Sequence, residues 1–420
     1  MTSPLWHPFT QHGLREPIPE VASAEGAVLR TSDGREIVDA ISSWWVTTHG
    51  HCYPPISQAI AEQAGRLDQV IFAGWTHGPA EEVARGLMEM TPDALTRVFF
   101  SDSGSTSVEV ALKMALGYWR KQPRPRSRIG VLRHGYHGDT VGGMSVGERG
   151  VFNAAYSPLL FDVTALPLPE GGGENTAHAI ESACADEPLA AIIVEPLILG
   201  AGGMLTYPPE ALSALRRACD RHGVLLIADE VMTGWGRTGT LLACEQAEVV
   251  PDLLCLSKGL TGGAVPLAVT LATEPVFEAH LSEDRADMFF HSSSYTANPI
   301  ACAAAAANLR VWREEPVRAR IETLCGRQAE RLAALQRHPV LSNHRQVGTI
   351  AAMEFGGSEG AYLSGLGPKL AKWFRNRNVL LRPLGNTVYV MPPYCVTEAQ
   401  LDAVYEAIAS AADALAEGRL

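Results

Sequence analysis

Leu225-Leu226-Ile227-Ala228-Asp229-Glu230-Val231 and the later run Leu253-Leu254-Cys255-Leu256-Ser257-Lys258-Gly259-Leu260-Thr261-Gly262-Gly263 decide the fold. Each apolar stretch reads as a short buried strand bounded by polar or glycine-rich residues. The first strand delivers a carboxylate, Asp229, and the second an amine, Lys258. Open α/β sheets build their sites beyond the carboxyl ends of the strands, so the two charges are expected to converge there. Either residue alone carries little weight. An Asp-Glu pair after a strand is common in hydrolases and nucleotide enzymes, and a lysine at a strand end is usually solvated.

Together, with Thr233-Gly234-Trp235-Gly236-Arg237-Thr238-Gly239 between them and a glycine-rich turn after the lysine, they point to pyridoxal phosphate. That cofactor needs a lysine to condense with its aldehyde and an acid to keep its ring nitrogen protonated. Upstream, Asp102-Ser103-Gly104-Ser105-Thr106 follows a strand and opens a helix expected over Val108 to Arg120. Free backbone N–H groups and hydroxyls at the positive end of a helix suit a phosphate, although Ser and Thr are also ordinary N-caps. Tyr136-His137-Gly138-Asp139-Thr140 offers an aromatic face for the cofactor ring, whereas a Tyr-His pair in a loop is by itself more often plain surface.

Strands are expected near Val98-Ser101, Ile129-Leu132, Ala191-Glu195, Val224-Asp229, Leu253-Ser257 and Leu267-Leu271, alternating with helical patterns. This is an α/β chain with a mainly parallel sheet and helices on both faces. The segments Gln122 to Arg128 and Glu170 to Glu174 read as exposed loops. The alanine-rich stretch from Asn298 to Arg337 predicts a long helix broken near Pro316. Further strands near Thr349-Glu354, Val379-Arg382 and Thr387-Met391 and a closing helix from Thr397 suggest a smaller α+β domain. The expected division is residues 48–310 for the large domain, with residues 1–47 and 311–420 forming the small one.

A length of 420 residues permits two such domains, and the net charge of -12 argues against nucleic acid or an anionic membrane as the main partner. The eight cysteines lack metal-ligand or disulfide spacing and read as reduced core residues. His49 with His51, and His134 with His137, lack a partner set for a metal, so none is expected. Residues Met1 to Gln11 do not resemble a secretion signal and no run is long enough to span a bilayer, so a cytoplasmic chain is expected.

Trp44-Trp45 ahead of Thr47-Thr48-His49 reads either as core or as the wall of an apolar substrate pocket. Arg382, at the end of a predicted strand, is either exposed or a clamp for a carboxylate, which the planar guanidinium suits. Glu195-Pro196 is expected to pair with an arginine or to line the pocket.

These motifs, with Trp6-His7-Pro8-Phe9-Thr10, Arg382-Pro383-Leu384-Gly385 and Met391-Pro392-Pro393-Tyr394, resemble the class III aminotransferases over nearly the whole chain. The likeness is nearest to the branch that aminates 8-amino-7-oxononanoate in biotin biosynthesis. It implies the type I pyridoxal-phosphate transferase fold, with a seven-stranded sheet. By position it implies that Lys258 carries the cofactor, Asp229 partners its ring nitrogen, Tyr136 stacks on the ring, and Gly104 and Ser105 hold the phosphate. A homodimer is implied, with active sites at the interface and Ser294 completing the neighbour's phosphate site. Arg382 would hold the keto acid carboxylate, with Trp44, Trp45 and Tyr136 along its apolar path, and Asp139 and Arg237 would organise the site indirectly.

Two departures stand out. Phe9 occupies a place where S-adenosylmethionine users of the branch carry Tyr, and a lysine-using branch carries Phe. Trp44 nevertheless favours S-adenosylmethionine, because the lysine users lack it. Leu199 replaces a usual Gln, with an expected effect on packing. The alternatives are a class III enzyme using pyruvate or 2-oxoglutarate, and a catalytically silent cofactor-binding regulator.

Overall fold

The computed structural model describes residues 3–150, 153–356 and 365–420. Residues 1–2 and 357–364, which fall in the expected small domain, and residues 151–152 lie outside the described residues. Seven strands form the main sheet: β1 (Leu95–Ser101), β2 (Ile129–Leu132), β3 (Thr164–Leu166), β4 (Ala191–Val194), β5 (Leu225–Asp229), β6 (Leu253–Leu256) and β7 (Ala268–Thr273). Their order is β1-β7-β6-β5-β4-β2-β3, with β7 antiparallel to both of its neighbours and the other pairings parallel. The six strands expected from the sequence are all present, within a few residues at their ends. The short edge strand β3 has no counterpart among them, because three residues are too few to carry a period.

Every residue of β5 is buried because alternate side chains feed two different cores. Leu225 and Ile227 join one hydrophobic cluster with Val108, Ala111, Leu112, Ala115 and Trp119 of helix α1 (Gly104–Arg120). Leu226 and Ala228 point the other way, toward Leu212 and Leu215 of the helix Pro209–His222. A strand covered on both faces reads as an unbroken apolar run, and each of its Leu and Ile side chains contributes about 1.5–3 kcal/mol by leaving water.

Helix α1 starts at Gly104, earlier than the expected Val108, because Ser103 and Thr106 form a reciprocal capping box. The alanine-rich region divides at Pro316 into α2 (Pro299–Glu314) and α3 (Val317–Leu335). A further sheet joins chain ends distant in sequence. Glu36–Asp39 pairs in parallel with Val379–Leu380, beside the hairpin of Val21–Glu25 and Val28–Thr31. The strands Leu341–Val347, Ile350–Phe355 and Thr387–Val390 form a third sheet, and Glu398–Ala416 closes the chain as a helix.

Two expectations need correction. Cys52 and Cys395 are exposed, so not all cysteines are core residues. Arg126, in the loop expected to be exposed, is half-buried. It lies over the Trp119 ring at 3.9 Å and donates to the carbonyls of Leu189, His222 and Gly223.

Candidate active site

The carboxyl ends of β1, β2, β4, β5 and β6 deliver their following residues to one cavity of about 240 Å³. Its lining includes Gly104, Ser105, Tyr136, His137, Glu195, Asp229 and Lys258 on the sheet side. Phe9, Trp44, Trp45, Arg382, Leu384 and Tyr389 come from the terminal segments. Eight of the nine expected site residues therefore meet. Ser294 does not line its own chain's cavity; it is exposed, and its carbonyl accepts from Gln69.

Lys258 opens a single 3-10 turn, Lys258–Thr261, with φ of 43°, in the left-handed region. Its amine makes no hydrogen bond or ion pair among the described residues and stands 5.2 Å from the centre of the Trp45 ring. The residue as a whole is half-buried, but the amine faces the cavity, not bulk water. Desolvation there holds its pKa below the usual lysine value, against the opposing pull of Asp229 and Glu195.

Asp229 is buried, and both its oxygens are fixed. Oδ2 accepts from Nδ1 of buried His137 at 2.7 Å, and Oδ1 accepts from the Val231 N–H at 3.1 Å. His137 was not singled out as a site residue, since nothing in the sequence distinguishes it from a surface histidine. Only the fold carries it to β5.

Among the described residues Glu195 meets no arginine, and it lines the cavity. Its oxygens accept the backbone N–H groups of Tyr136 at 3.0 Å and Gly200 at 2.9 Å, tying together two loops over the sheet. Burial pushes its pKa up to about 7, partly opposed by His137 and by those two donors. Tyr389, also unforeseen, accepts from Trp45 Nε1 at 2.9 Å and lines the cavity.

At the start of α1 the N–H groups of Gly104 and Ser105 have no partner among the described residues, and the Ser105 hydroxyl accepts from the Asp139 N–H at 3.2 Å. A Cβ on Gly104 would come within 2.6 Å of Val231, and one on Gly138 within 2.0 Å of Ser105 Oγ. Glycine is thus required where the loops close around an anion-sized cradle. An unbonded amine, a fixed buried carboxylate and a helix-end cradle around one cavity fit pyridoxal phosphate.

At the mouth, Arg382 is half-buried and forms no ion pair among the described residues. Its guanidinium lies 4.6 Å from the Trp44 ring centre and 5.2 Å from that of Phe9. Asp139 accepts from the Tyr136 hydroxyl at 3.0 Å. Arg237, fully buried, does not line the cavity. It donates to the Pro392 and Thr47 carbonyls at 3.0 and 2.9 Å, bracing the strap that carries the tryptophans. Leu199 is buried in a two-stranded hairpin, in keeping with a packing role.

The model of the class III aminotransferases matches residues 11–412. The chain belongs to the class III aminotransferases. As such it is an enzyme dependent on pyridoxal phosphate. Relatives of this aminotransferase include the adenosylmethionine-8-amino-7-oxononanoate aminotransferases of Synechococcus elongatus and Nitratidesulfovibrio vulgaris. The first is 48% identical, covering 97% of this chain and 98% of the relative. The second is 39% identical, covering 98% and 81%. The crystal structure of the like-named enzyme of Methanocaldococcus jannaschii superposes with a TM-score of 0.92 at 32% identity, covering 97% of both chains. An amine transaminase from an uncultivated Pseudomonas species, in its PLP-bound form, gives 0.91 at 32% identity over 98% of both chains. No described helix is long and apolar enough to cross a membrane.

Proposed function

We propose that this aminotransferase moves an amino group from S-adenosylmethionine to 8-amino-7-oxononanoate, giving 7,8-diaminononanoate in biotin biosynthesis. The observation that carries the proposal is Arg382, a guanidinium without an ion pair among the described residues, at the far end of a path lined by Trp44, Trp45 and Tyr136 that ends at Lys258. A long keto acid fits this polarity: a carboxylate at the mouth, an apolar middle and a carbonyl at the amine. The names of the relatives agree with it.

When bound, pyridoxal phosphate supplies a cationic ring that delocalises the electrons left on the substrate carbon when its proton departs. The Gly104 and Ser105 N–H groups would hold the phosphate, and the Tyr136 ring would cover one face. Asp229, oriented by the His137 Nδ1–H donor at 2.7 Å, would be the partner of the ring nitrogen. Lys258 Nζ, its pKa lowered by desolvation, would be the base that removes the proton from the amine-bearing carbon of the substrate and holds it as an ammonium for the return transfer. Trp44 and Phe9, packed at the mouth with ring centres 5.6 Å apart and planes tilted by 43°, would limit the entry of water.

Phe9 supports a second reading, with lysine as donor, because its ring carries no hydroxyl where a tyrosine would offer one. The same active site with pyruvate as acceptor is a third, favoured by the likeness to the amine transaminase. The test is spectral. The enzyme is converted to its pyridoxamine form, and the visible absorption of the aldehyde form is followed after adding 8-amino-7-oxononanoate or pyruvate. Recovery with the long keto acid alone supports the proposal, and recovery with pyruvate alone overturns it. Repeating the forward half-reaction with S-adenosylmethionine and with lysine then identifies the donor.

The same reading makes the enzyme a cytoplasmic homodimer with active sites at the interface, in which Ser294 of the partner subunit completes the phosphate site. Exposed Ile71, Trp75, Phe290 and Tyr295, each more than 60% accessible, support a covered face near Ser294. It also divides the chain into a cofactor-binding domain of residues 48–310 and a small domain of residues 1–47 and 311–420.

A further inference from the structure

Helix α2 carries a polar residue where its alanine pattern calls for none. Asn308 is fully buried, and burying an amide is costly unless its hydrogen bonds are made. All of its capacity is directed at two places. Nδ2 donates to the carbonyls of Gly259 and Leu260, both at 3.0 Å, and Oδ1 lies 2.8 Å from Nε2 of His49. Both carbonyls can only accept, so the amide nitrogen must face the turn and the oxygen must face the histidine. His49 is thereby fixed as the tautomer with hydrogen on Nε2, and its buried Nδ1 is left without a partner.

Gly259 and Leu260 belong to the single turn that Lys258 begins. Lys258 holds a left-handed backbone conformation, which is strained for a non-glycine residue and persists only where the surroundings impose it. The surroundings here are the strap of residues 46–49 and α2. The Thr48 N–H donates to the Gly262 carbonyl at 3.3 Å, a Cβ on Gly263 would meet the Val46 carbonyl at 2.5 Å, and one on Gly259 would meet Trp235 at 2.7 Å. Among the described residues, the Asn308 amide is the one side chain that grips the turn by two consecutive carbonyls.

We propose that Asn308, oriented by His49, is a positioning residue that holds the lysine-bearing turn in its strained conformation and aims the Lys258 amine into the cavity. The role rests on Lys258 being the reacting amine. Neither Asn308 nor His49 lines the cavity, so both act through the turn.

The experiment begins with the cofactor-free protein. Reductive methylation followed by peptide mass spectrometry gives the pH midpoint of Lys258 modification in wild type, Asn308→Leu, His49→Leu and His49→Gln. Leucine has nearly the volume of asparagine without its donors, and glutamine restores an N–H donor toward Asn308 Oδ1. Asn308→Leu and His49→Leu are expected to raise the midpoint by about one pH unit, as the released turn lets the amine reach water, while His49→Gln stays near wild type. In the loaded enzyme, kcat should fall about tenfold or more in Asn308→Leu, with KM for the keto acid nearly unchanged.

A folded Asn308→Leu protein with the wild-type midpoint overturns the proposal. If that variant does not fold, the two His49 variants decide in the same way, and equal midpoints in both overturn it. Borohydride reduction of loaded wild type separates the two readings. Cofactor fixed on a residue other than Lys258 overturns the assignment of the lysine itself. Cofactor fixed on Lys258, with all variant midpoints unchanged, overturns only the role of Asn308.

Discussion

Lys258 and Arg382 line one cavity, and on the proposed function they mark the two ends of the substrate path, so their replacements should separate chemistry from binding. Lys258→Ala is expected to lower kcat by about 10²- to 10⁴-fold, with cofactor no longer fixed to the chain by borohydride, as read by single-turnover kinetics and mass spectrometry. Arg382→Lys keeps the charge but loses the planar fork and its stacking on Trp44 and Phe9. KM for the keto acid should rise about tenfold with a smaller change in kcat. His49 gives a stability signature. Burial lowers its pKa to about 4, with Glu315 opposing and Arg320 and Arg237 assisting. The unfolded chain therefore binds the proton more readily. This contribution is fully present above about pH 6.5 and is lost as pH falls toward 4, to the order of 3 kcal/mol. Glu195, raised to about 7, acts in the opposite sense over pH 7 to 4.5, so the measurement is a difference. Denaturant melts of wild type and His49→Gln from pH 7 to 4 should diverge, with wild type losing more stability.

At the scale of elements, the cradle depends on the start of α1 meeting the loop after β2. Gly138 has φ of 113°, and a Cβ there would overlap the Ser105 hydroxyl. Gly138→Ala should therefore weaken cofactor binding by about tenfold or more while the α1 cap, built from Ser103 and Thr106, remains intact. Fluorescence titration of the cofactor-free variant with pyridoxal phosphate measures this, and wild-type affinity would contradict the role of the cradle. A loss confined to affinity, with far-ultraviolet circular dichroism unchanged, distinguishes a displaced Ser105 from a misfolded loop.

The whole molecule leaves Ile71, Trp75, Phe290 and Tyr295 exposed around the segment that bears Ser294. Charge on that face should oppose association, because a buried unpaired carboxylate is strongly disfavoured. Trp75→Glu is expected to shift the enzyme toward monomer in sedimentation velocity and to lower cofactor affinity in parallel. A dimeric Trp75→Glu with unaltered affinity would count against the covered face.

The sequence by itself determined the buried strands β4, β5 and β6 and the break at Pro316, because apolar runs and a proline report local physics that needs no partner. It likewise marked Lys258, Asp229, Tyr136 and the Gly104-Ser105 turn by residue type and position relative to a strand, and the fold gathers them around one cavity. The first strands of the chain were not legible, since Val21–Glu25 is largely exposed and carries no apolar period. Only the tertiary structure decided the partners. His137 reaches Asp229 across 92 positions and Asn308 reaches Gly259 across 49, and Glu195 meets backbone N–H groups where an arginine was the alternative. A hydrogen bond depends on two groups coming within about 3 Å, and no pattern along one strand of sequence encodes where the second group will be.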